Sequence, residues 1–326
     1  MDETLQELFN QAMKAHANDI YFLPQAQNYL LKIATVRGYR KLMELPSTKA
    51  QQLISYLKYQ ANMSLSEHRR PQLGSWIYHT KTKQVFCRLS SVGDFWNRES
   101  LVIRLIYPQK TLSDSYFFDE QIAQIQAACQ KRGLIIFSGP VSSAKSTVMY
   151  QCASLQEDKQ VLCIEDPIEI YEPQFLQLQV NEKAQMTYGE LLKVSLRHHP
   201  DIFIIGEIRD EITAKAAIDA ALSGHLVLTT LHAQGVYGVM QRLMNLQVSE
   251  AEILQTVRLI SYQRLLPTVS GDLKVLFDLL DQKQLSNATK QAIQGENMSE
   301  RWRVNLAKCQ KEGWIDQATY QKFQDG

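Results

Sequence analysis

Residues Leu134 to Tyr150, LIIFSGPVSSAKSTVMY, constrain this chain more than any other stretch. An unbroken apolar run leads through a loop of small residues into a segment of helical pattern, so the chain here reads strand, loop, helix. The spacing follows the phosphate-loop pattern GxxxxGK[ST] in all but one place. The candidate cradle for a triphosphate is Gly139, Pro140, Val141, Ser142, Ser143, Ala144, Lys145, Ser146 and Thr147. Backbone N–H groups and the positive end of the helix suit phosphate oxygens, Lys145 reaches the β and γ phosphates, and Ser146 offers a hydroxyl to Mg²⁺. ATP and Mg²⁺ are therefore the expected ligands.

The departure is Ala144, which stands at the glycine position before Lys145. If the backbone there needs a positive φ, a methyl group costs about 1 kcal/mol and weakens nucleotide affinity. If φ is negative, alanine is harmless. A turning-over ATPase, a weak binder and a nucleotide-binding scaffold with little turnover are all compatible with the loop alone.

Beyond the loop, short apolar runs alternate with helical patterns: Val161 to Ile164, a helix near Thr187 to Arg197, Ile202 to Ile205, a helix at Glu211 to Leu222, and His225 to Leu231. Strands apolar on every residue and separated by helices predict a largely parallel sheet covered on both faces, an α/β domain. The first hundred residues read differently. Helices at Thr4 to Ala17 and Thr48 to Ala61 are interleaved with β-rich runs at Asn28 to Val36, Gln84 to Ser90 and Ser100 to Ile106, the last two forming a hairpin around Gly93 and Asp94. This predicts a smaller α+β domain over 1–107, a linker at 108–116, the α/β domain over 117–270 and a helical C-terminal segment over 271–326. The remainder from about Val236 reads as mostly helical, with an amphipathic tail through Trp302, Leu306, Trp314 and Phe323 that suits a core or subunit contact better than a membrane anchor.

Two of the predicted strands end in carboxylates, Glu165 with Asp166 in VLCIEDPIE and Glu207 in DIFIIGEIRD. Ligands of parallel sheets sit at the carboxyl ends of strands, which directs both toward the phosphate loop. Glu207 is the candidate general base or water-positioning group, and Glu165 the candidate support for the metal, with Ser146, Glu165 and Glu207 as the Mg²⁺ set, partly through water. His232 follows the run LVLTTL and should emerge at the same edge. His198 and His199 read as surface polar residues.

The stretch LRHHPDIFIIGEIRDEITAKAAIDAALSGHLVLTTLHA, Leu196 to Ala233, closely resembles the signature of type II secretion and type IV pilus ATPases. The resemblance extends to the phosphate loop, to the acidic box Glu165 to Glu169, to the histidine box ending at His232, and to the N-terminal elements HANDIYFLP, MSLSEHRRPQLG and CRLSSVGDFWNRESLVIRL. It covers nearly the whole chain as far as about Leu266. It implies a RecA-like P-loop NTPase domain, a PAS-like first domain, and ATP hydrolysis by a ring-shaped homohexamer on the cytoplasmic face of the cell membrane, docked on a polytopic platform protein and acting indirectly on pilins. Without a further N-terminal domain or a four-cysteine zinc module, the architecture resembles the competence-operon ATPases of Gram-positive bacteria, with retraction and type II secretion ATPases as the alternatives.

For His232 the resemblance implies a γ-phosphate contact or sensor. Arg88 and Arg104 are equidistant from Trp96, so a symmetric hairpin opposes them across the strands, a conflict that an anion would relieve. The resemblance implies arginine fingers at these positions, with Arg69 a weaker candidate; pairing with Glu99 and Asp94 is the plainer reading. Thirty-five Lys and Arg against 34 Asp and Glu leave a net charge of +1, which disfavours direct nucleic-acid binding and a translocase. Five scattered cysteines without a CxxC pair suit a reducing compartment, and MDETLQELF lacks the pattern of a signal peptide, so a cytoplasmic chain with peripheral membrane association is expected.

Overall fold

Alternate burial along the early strands, with Tyr29, Leu31 and Ile33 inward and their neighbours partly or fully exposed, is what a sheet with one covered face requires. The computed structural model describes residues 3–35, 38–80, 84–107, 115–156, 158–293 and 296–326. It divides into two compact units, Met1–Pro108 and Gln109–Gly326. Most of the expected linker, residues 108–114, lies outside the described residues.

The first unit runs α1 (Glu3–Lys14), β1 (Asp19–Pro24), β2 (Asn28–Thr35), β3 (Gly38–Pro46), α2 (Ser47–Gln60), β4 (Gln72–His79), β5 (Gln84–Gly93) and β6 (Glu99–Ile106). Its six strands form one antiparallel sheet in the order β3-β2-β1-β6-β5-β4. Leu5, Leu8 and Phe9 of α1 and Leu53, Ile54 and Leu57 of α2 share a core with Ile20, Phe22, Leu31, Leu89 and Ile103 of the sheet. The expected β5–β6 hairpin is present, its turn held by the Asp94 carboxylate, which accepts the amides of Trp96 and Arg98 at 2.8 Å each.

The second unit continues with α3 (Asp119–Ala128), β7 (Gly133–Ser138), α4 (Lys145–Ser154), β8 (Val161–Glu165), β9 (Leu176–Gln179), α5 (Tyr188–Ser195), β10 (Ile202–Glu207), α6 (Glu211–Leu222) and β11 (Leu226–Leu231). Then come α7 (Val236–Asn245), α8 (Glu250–Thr256), β12 (Val257–Pro267), β13 (Leu273–Asp281), α9 (Gln282–Ile293), α10 (Glu300–Lys311) and α11 (Gln317–Lys322). Seven strands stand in the order β13-β12-β7-β11-β10-β8-β9, with the β12–β13 pair antiparallel and every other neighbour parallel. Successive residues of β7 feed opposite cores: Leu134 and Ile136 pack with α6 and α7, Ile135 and Phe137 with α3 and α4. This is the covered α/β sheet that the apolar runs predicted.

The C-terminal third differs from its sequence reading. Residues 257–281, expected to be mostly helical, form the two strands that extend the sheet past β7, and helix resumes only at Gln282. A fully buried strand has no polar face to set its period, so VRLISYQRLLP and LKVLFDLLD are indistinguishable from buried helix by periodicity. Trp302, Leu306 and Phe323 of the tail are core, with the Trp302 indole N–H donating to the Phe323 carbonyl at 2.9 Å, while Trp314 is exposed.

Candidate functional site

Strand β7 lies inside the sheet, between β12 and β11, and its carboxyl end delivers the phosphate loop. Gly139 opens the loop at φ 140°, where an added Cβ would stand 2.4 Å from the Gln263 carbonyl oxygen of β12. Only glycine fits so close to another backbone. Ser142 and Ala144 both take positive φ, 63° and 66°. Ala144 thus realises the strained alternative, a left-handed residue bearing a Cβ, at a cost of about 1 kcal/mol.

The loop is closed by its own polar groups. The Ser143 hydroxyl donates to the Pro140 carbonyl at 2.9 Å, and the Gln263 side-chain amide donates to the Ser143 carbonyl at 2.7 Å. Lys145, 8% exposed, donates to the carbonyls of Gly139 at 3.0 Å and Pro140 at 2.8 Å. Burial pulls its ammonium below the ordinary lysine range, while Glu169 and Glu207 oppose that shift. Val141 is exposed at the loop's outer edge, and Ala144, the N-cap residue of α4, makes no side-chain cap. A helix N-terminus that its own N-cap residue leaves uncapped suits an anion, so the loop fits a polyphosphate.

Glu165 ends β8 but does not face outward. It is 4% exposed and takes the Tyr150 hydroxyl of α4 as its partner. Burial pushes its carboxyl up to about 7. Glu165, expected to support a metal, is thus enclosed beneath a tyrosine, where burial favours the neutral carboxyl. Glu169, four residues on in the same acidic box, accepts the Ser146 hydroxyl at 3.1 Å instead. Gly206 explains itself here: a Cβ at that position would meet Glu165 Cγ at 2.9 Å, so glycine before Glu207 makes room for the buried carboxyl.

Glu207 and His232, each expected at the carboxyl edge of the sheet, stand at the ends of the neighbouring strands β10 and β11 and come together. The register slips between Ile205 and Glu207, and His232 Nε2 lies 3.6 Å from Glu207 Oε1. On the other carboxylate oxygen, Arg209 Nε stands at 3.8 Å, and the same guanidinium donates to the Asp166 carbonyl at 2.7 Å. The two contacts to the Glu207 carboxylate are long and partly exposed.

Arg88 and Arg104 belong to the first unit and are direct partners across β5 and β6, as the symmetric hairpin required. Their expected counter-ions are committed elsewhere. Asp94 pairs with Arg98 at 2.8 Å, and Glu99 with the buried Lys58 at 2.6 Å and with His68 at 2.9 Å. Arg104 instead donates to Asp19 at 2.9 Å. Arg69 gives its carbonyl to the Gly93 amide at 3.1 Å, which ties its segment to the hairpin. His198 and His199 are exposed.

Four residues of the site carried no role in the sequence reading: Tyr150, Glu169, Arg209 and Gln263. The charges of Glu169 and Arg209, next to the named boxes, were an available signal. Gln263 had none, since it sits on a strand read as helix. Among the described residues no group of three His, Cys, Asp or Glu side chains is arranged to hold a metal. A Mg²⁺ ion at Ser146 and Glu169 would thus need oxygens from water and the nucleotide as well.

The family described as Type II/IV secretion system protein matches residues 1–314. The chain is similar to the competence protein ComGA of Streptococcus pneumoniae, with 42% identity over 267 residues, 82% of this chain and 85% of that protein. ComGA of Bacillus subtilis is 35% identical over 81% of this chain and 76% of its own length. Among solved structures, the pilus retraction motor PilT with bound ADP superposes with a TM-score of 0.76 at 22% identity, covering 97% of this chain and 95% of that one. The Legionella pneumophila ATPase DotB gives a TM-score of 0.75 at 21% identity over 98% and 94%.

Proposed function

The chain belongs to the type II/IV secretion system protein family, and from that premise we propose that it is the ATP-hydrolysing motor of a competence pilus, the fibre used for DNA uptake. One observation carries the chemistry. The Ser146 hydroxyl, beside Lys145 in the phosphate loop, donates to Glu169 of the acidic box at 3.1 Å, so the loop and the acidic box meet. The relatives named as competence proteins support the pathway.

In this reading the loop from Gly139 to Thr147 holds the phosphates and Lys145 leaves the loop carbonyls for the β and γ oxygens. Ser146 and Glu169 would hold Mg²⁺, with Glu207 reaching it through water. The ion, when bound, neutralises charge that develops on the phosphates. Glu207 positions the attacking water and takes its proton, and His232, against the same carboxylate, fixes its orientation and senses the γ phosphate. Glu165 acts from beneath: with Tyr150 it forms a neutral strut between β8 and α4. Arg88 and Arg104 are candidate fingers toward the nucleotide of a neighbouring subunit in a homohexamer. Such a ring would dock on a polytopic platform protein at the cytoplasmic face of the membrane and act on pilins through it, with no direct contact to nucleic acid. No helix among the described residues is long and apolar enough to cross a membrane.

ATP hydrolysis measured across a size-exclusion profile tests chemistry and assembly together. Activity should travel with a sixfold assembly. Turnover absent from every fraction, or confined to the monomer, overturns the motor reading.

A further inference from the structure

We propose that Gln263 is the positioning residue that holds the phosphate loop in its left-handed conformation and thereby lets alanine stand at 144. The inference rests on the nucleotide-binding reading and adds the device that tunes it. The ψ of Ser143 and the φ of Ala144 rotate the same peptide unit. Fixing that unit's carbonyl restrains both angles, and the Ser143 carbonyl is the group that Gln263 grips, at 2.7 Å.

Residue 263 is placed for this by the sheet. β12 pairs with β7 up to Tyr262 opposite Ser138, and the next residue therefore lies beside the point where the loop departs. Its backbone carbonyl presses against Gly139, where a Cβ would come within 2.4 Å, while its side chain reaches Ser143. One fully buried residue thus braces both ends of the loop. Only the amide N–H₂ can serve a carbonyl acceptor, so the donor's identity is fixed by chemistry. The other amide atom, Oε1, is buried with no hydrogen-bond partner among the described residues. An unsatisfied carbonyl is unfavourable, and a residue present only to fill space would be leucine or methionine. The amide is retained for its donor.

The brace is also the one that a nucleotide leaves intact. Lys145 now bonds the Gly139 and Pro140 carbonyls, contacts that compete with phosphate. Gln263 approaches from the sheet side through protein atoms alone. Strain at Ala144 is then borne by the folded protein rather than charged to each binding event.

The test is a double-mutant cycle on the full chain, reading the Kd of ADP by competition with a fluorescent ADP analogue. Gln263→Ala should weaken ADP about tenfold, or about 1.4 kcal/mol. It should raise KM for ATP in proportion and leave kcat within threefold, because Glu207 and His232 are untouched. Ala144→Gly alone should change Kd less than twofold. In the Gln263→Ala background the same glycine should recover most of the loss, since glycine adopts the conformation unaided. Gln263→Met, which keeps the packing and removes the amide with its donor, should behave like Gln263→Ala and be rescued the same way. A Kd within twofold of wild type for both variants, or an equal loss in the alanine and glycine backgrounds, overturns the brace. A wild-type chain that fails to bind ADP overturns the nucleotide reading itself.

Discussion

The phosphate loop and the strand end that carries Glu207 lie at the same edge of the sheet and are built on opposite terms. In the loop the functional groups are backbone. Their direction is enforced by left-handed φ at Ser142 and Ala144, by the close approach of Gly139 to β12, and by the hydrogen bonds of Ser143 to Pro140 at 2.9 Å and of Gln263 to Ser143 at 2.7 Å. At the strand end the groups are side chains, partly exposed and joined at 3.6 and 3.8 Å. A site that must bind the same phosphates every cycle gains from rigidity; one that must take up and return a proton gains from partners that can shift. Binding and chemistry should then be separable by mutation.

The separation is broken most severely at its chemical end. Glu207→Gln should lower turnover by about 10³-fold while ADP affinity stays within threefold, read by phosphate release and equilibrium binding on one preparation. Comparable turnover in the two proteins would remove Glu207 from the role of base. Lys145→Ala attacks the other end. It removes the charge-assisted contact to phosphate and should weaken nucleotide binding by about 10²-fold, with turnover lost as a consequence. If binding survived and only turnover fell, the two regions would not divide the work as described.

A smaller effect sharpens the comparison from beneath. Glu165 links the two regions, since it is enclosed by Tyr150 on α4 and presses on Gly206 beside Glu207. Burial raises its carboxyl from 4.5 to about 7. A folded-state pKa above the unfolded one means that the native chain holds the proton longer. Its stabilising contribution is complete below about pH 4.5 and lost as pH rises through about 7, amounting at most to about 3 kcal/mol. Thermal unfolding of wild type should therefore weaken between pH 5 and 8 relative to Glu165→Gln, which keeps an acceptor for Tyr150 without the charge. Parallel curves would show that Glu165 is ionised in the fold.

What the sequence disclosed follows the same division. The phosphate loop, the parallel strands and the shared sheet edge of Glu207 and His232 were legible because fully apolar runs between helices specify a covered sheet, and covered sheets place function at one edge; that the two side chains meet was not. The hairpin that opposes Arg88 to Arg104 was legible from symmetry about Trp96. Burial was not. Glu165 and Glu169 are both carboxylates of one short segment, and only packing against Tyr150 decides which is enclosed and which meets Ser146. Asp19, far along the chain, takes Arg104 while nearer acids are claimed by Lys58 and Arg98. β12 was hidden because a strand buried on both faces carries no period, and with it went Gln263.

The smallest expected effect bears on the first feature. Ala144→Gly removes a Cβ from a residue at φ 66° and ψ 23°. Relief of the left-handed strain is set against the greater freedom that glycine gives the unfolded chain, and where an L-residue is already at positive φ the strain is the larger quantity. The variant should gain about 1 kcal/mol or slightly less, which for a unit of this size raises Tm by about 2–4 °C. A gain in Tm with unchanged ADP affinity places the strain in folding, where a braced loop would carry it. A loss in Tm would mean that residue 144 is not left-handed in solution. A large gain in affinity would mean that the loop adopts this conformation only around the nucleotide, and the rigid half of the comparison would fall.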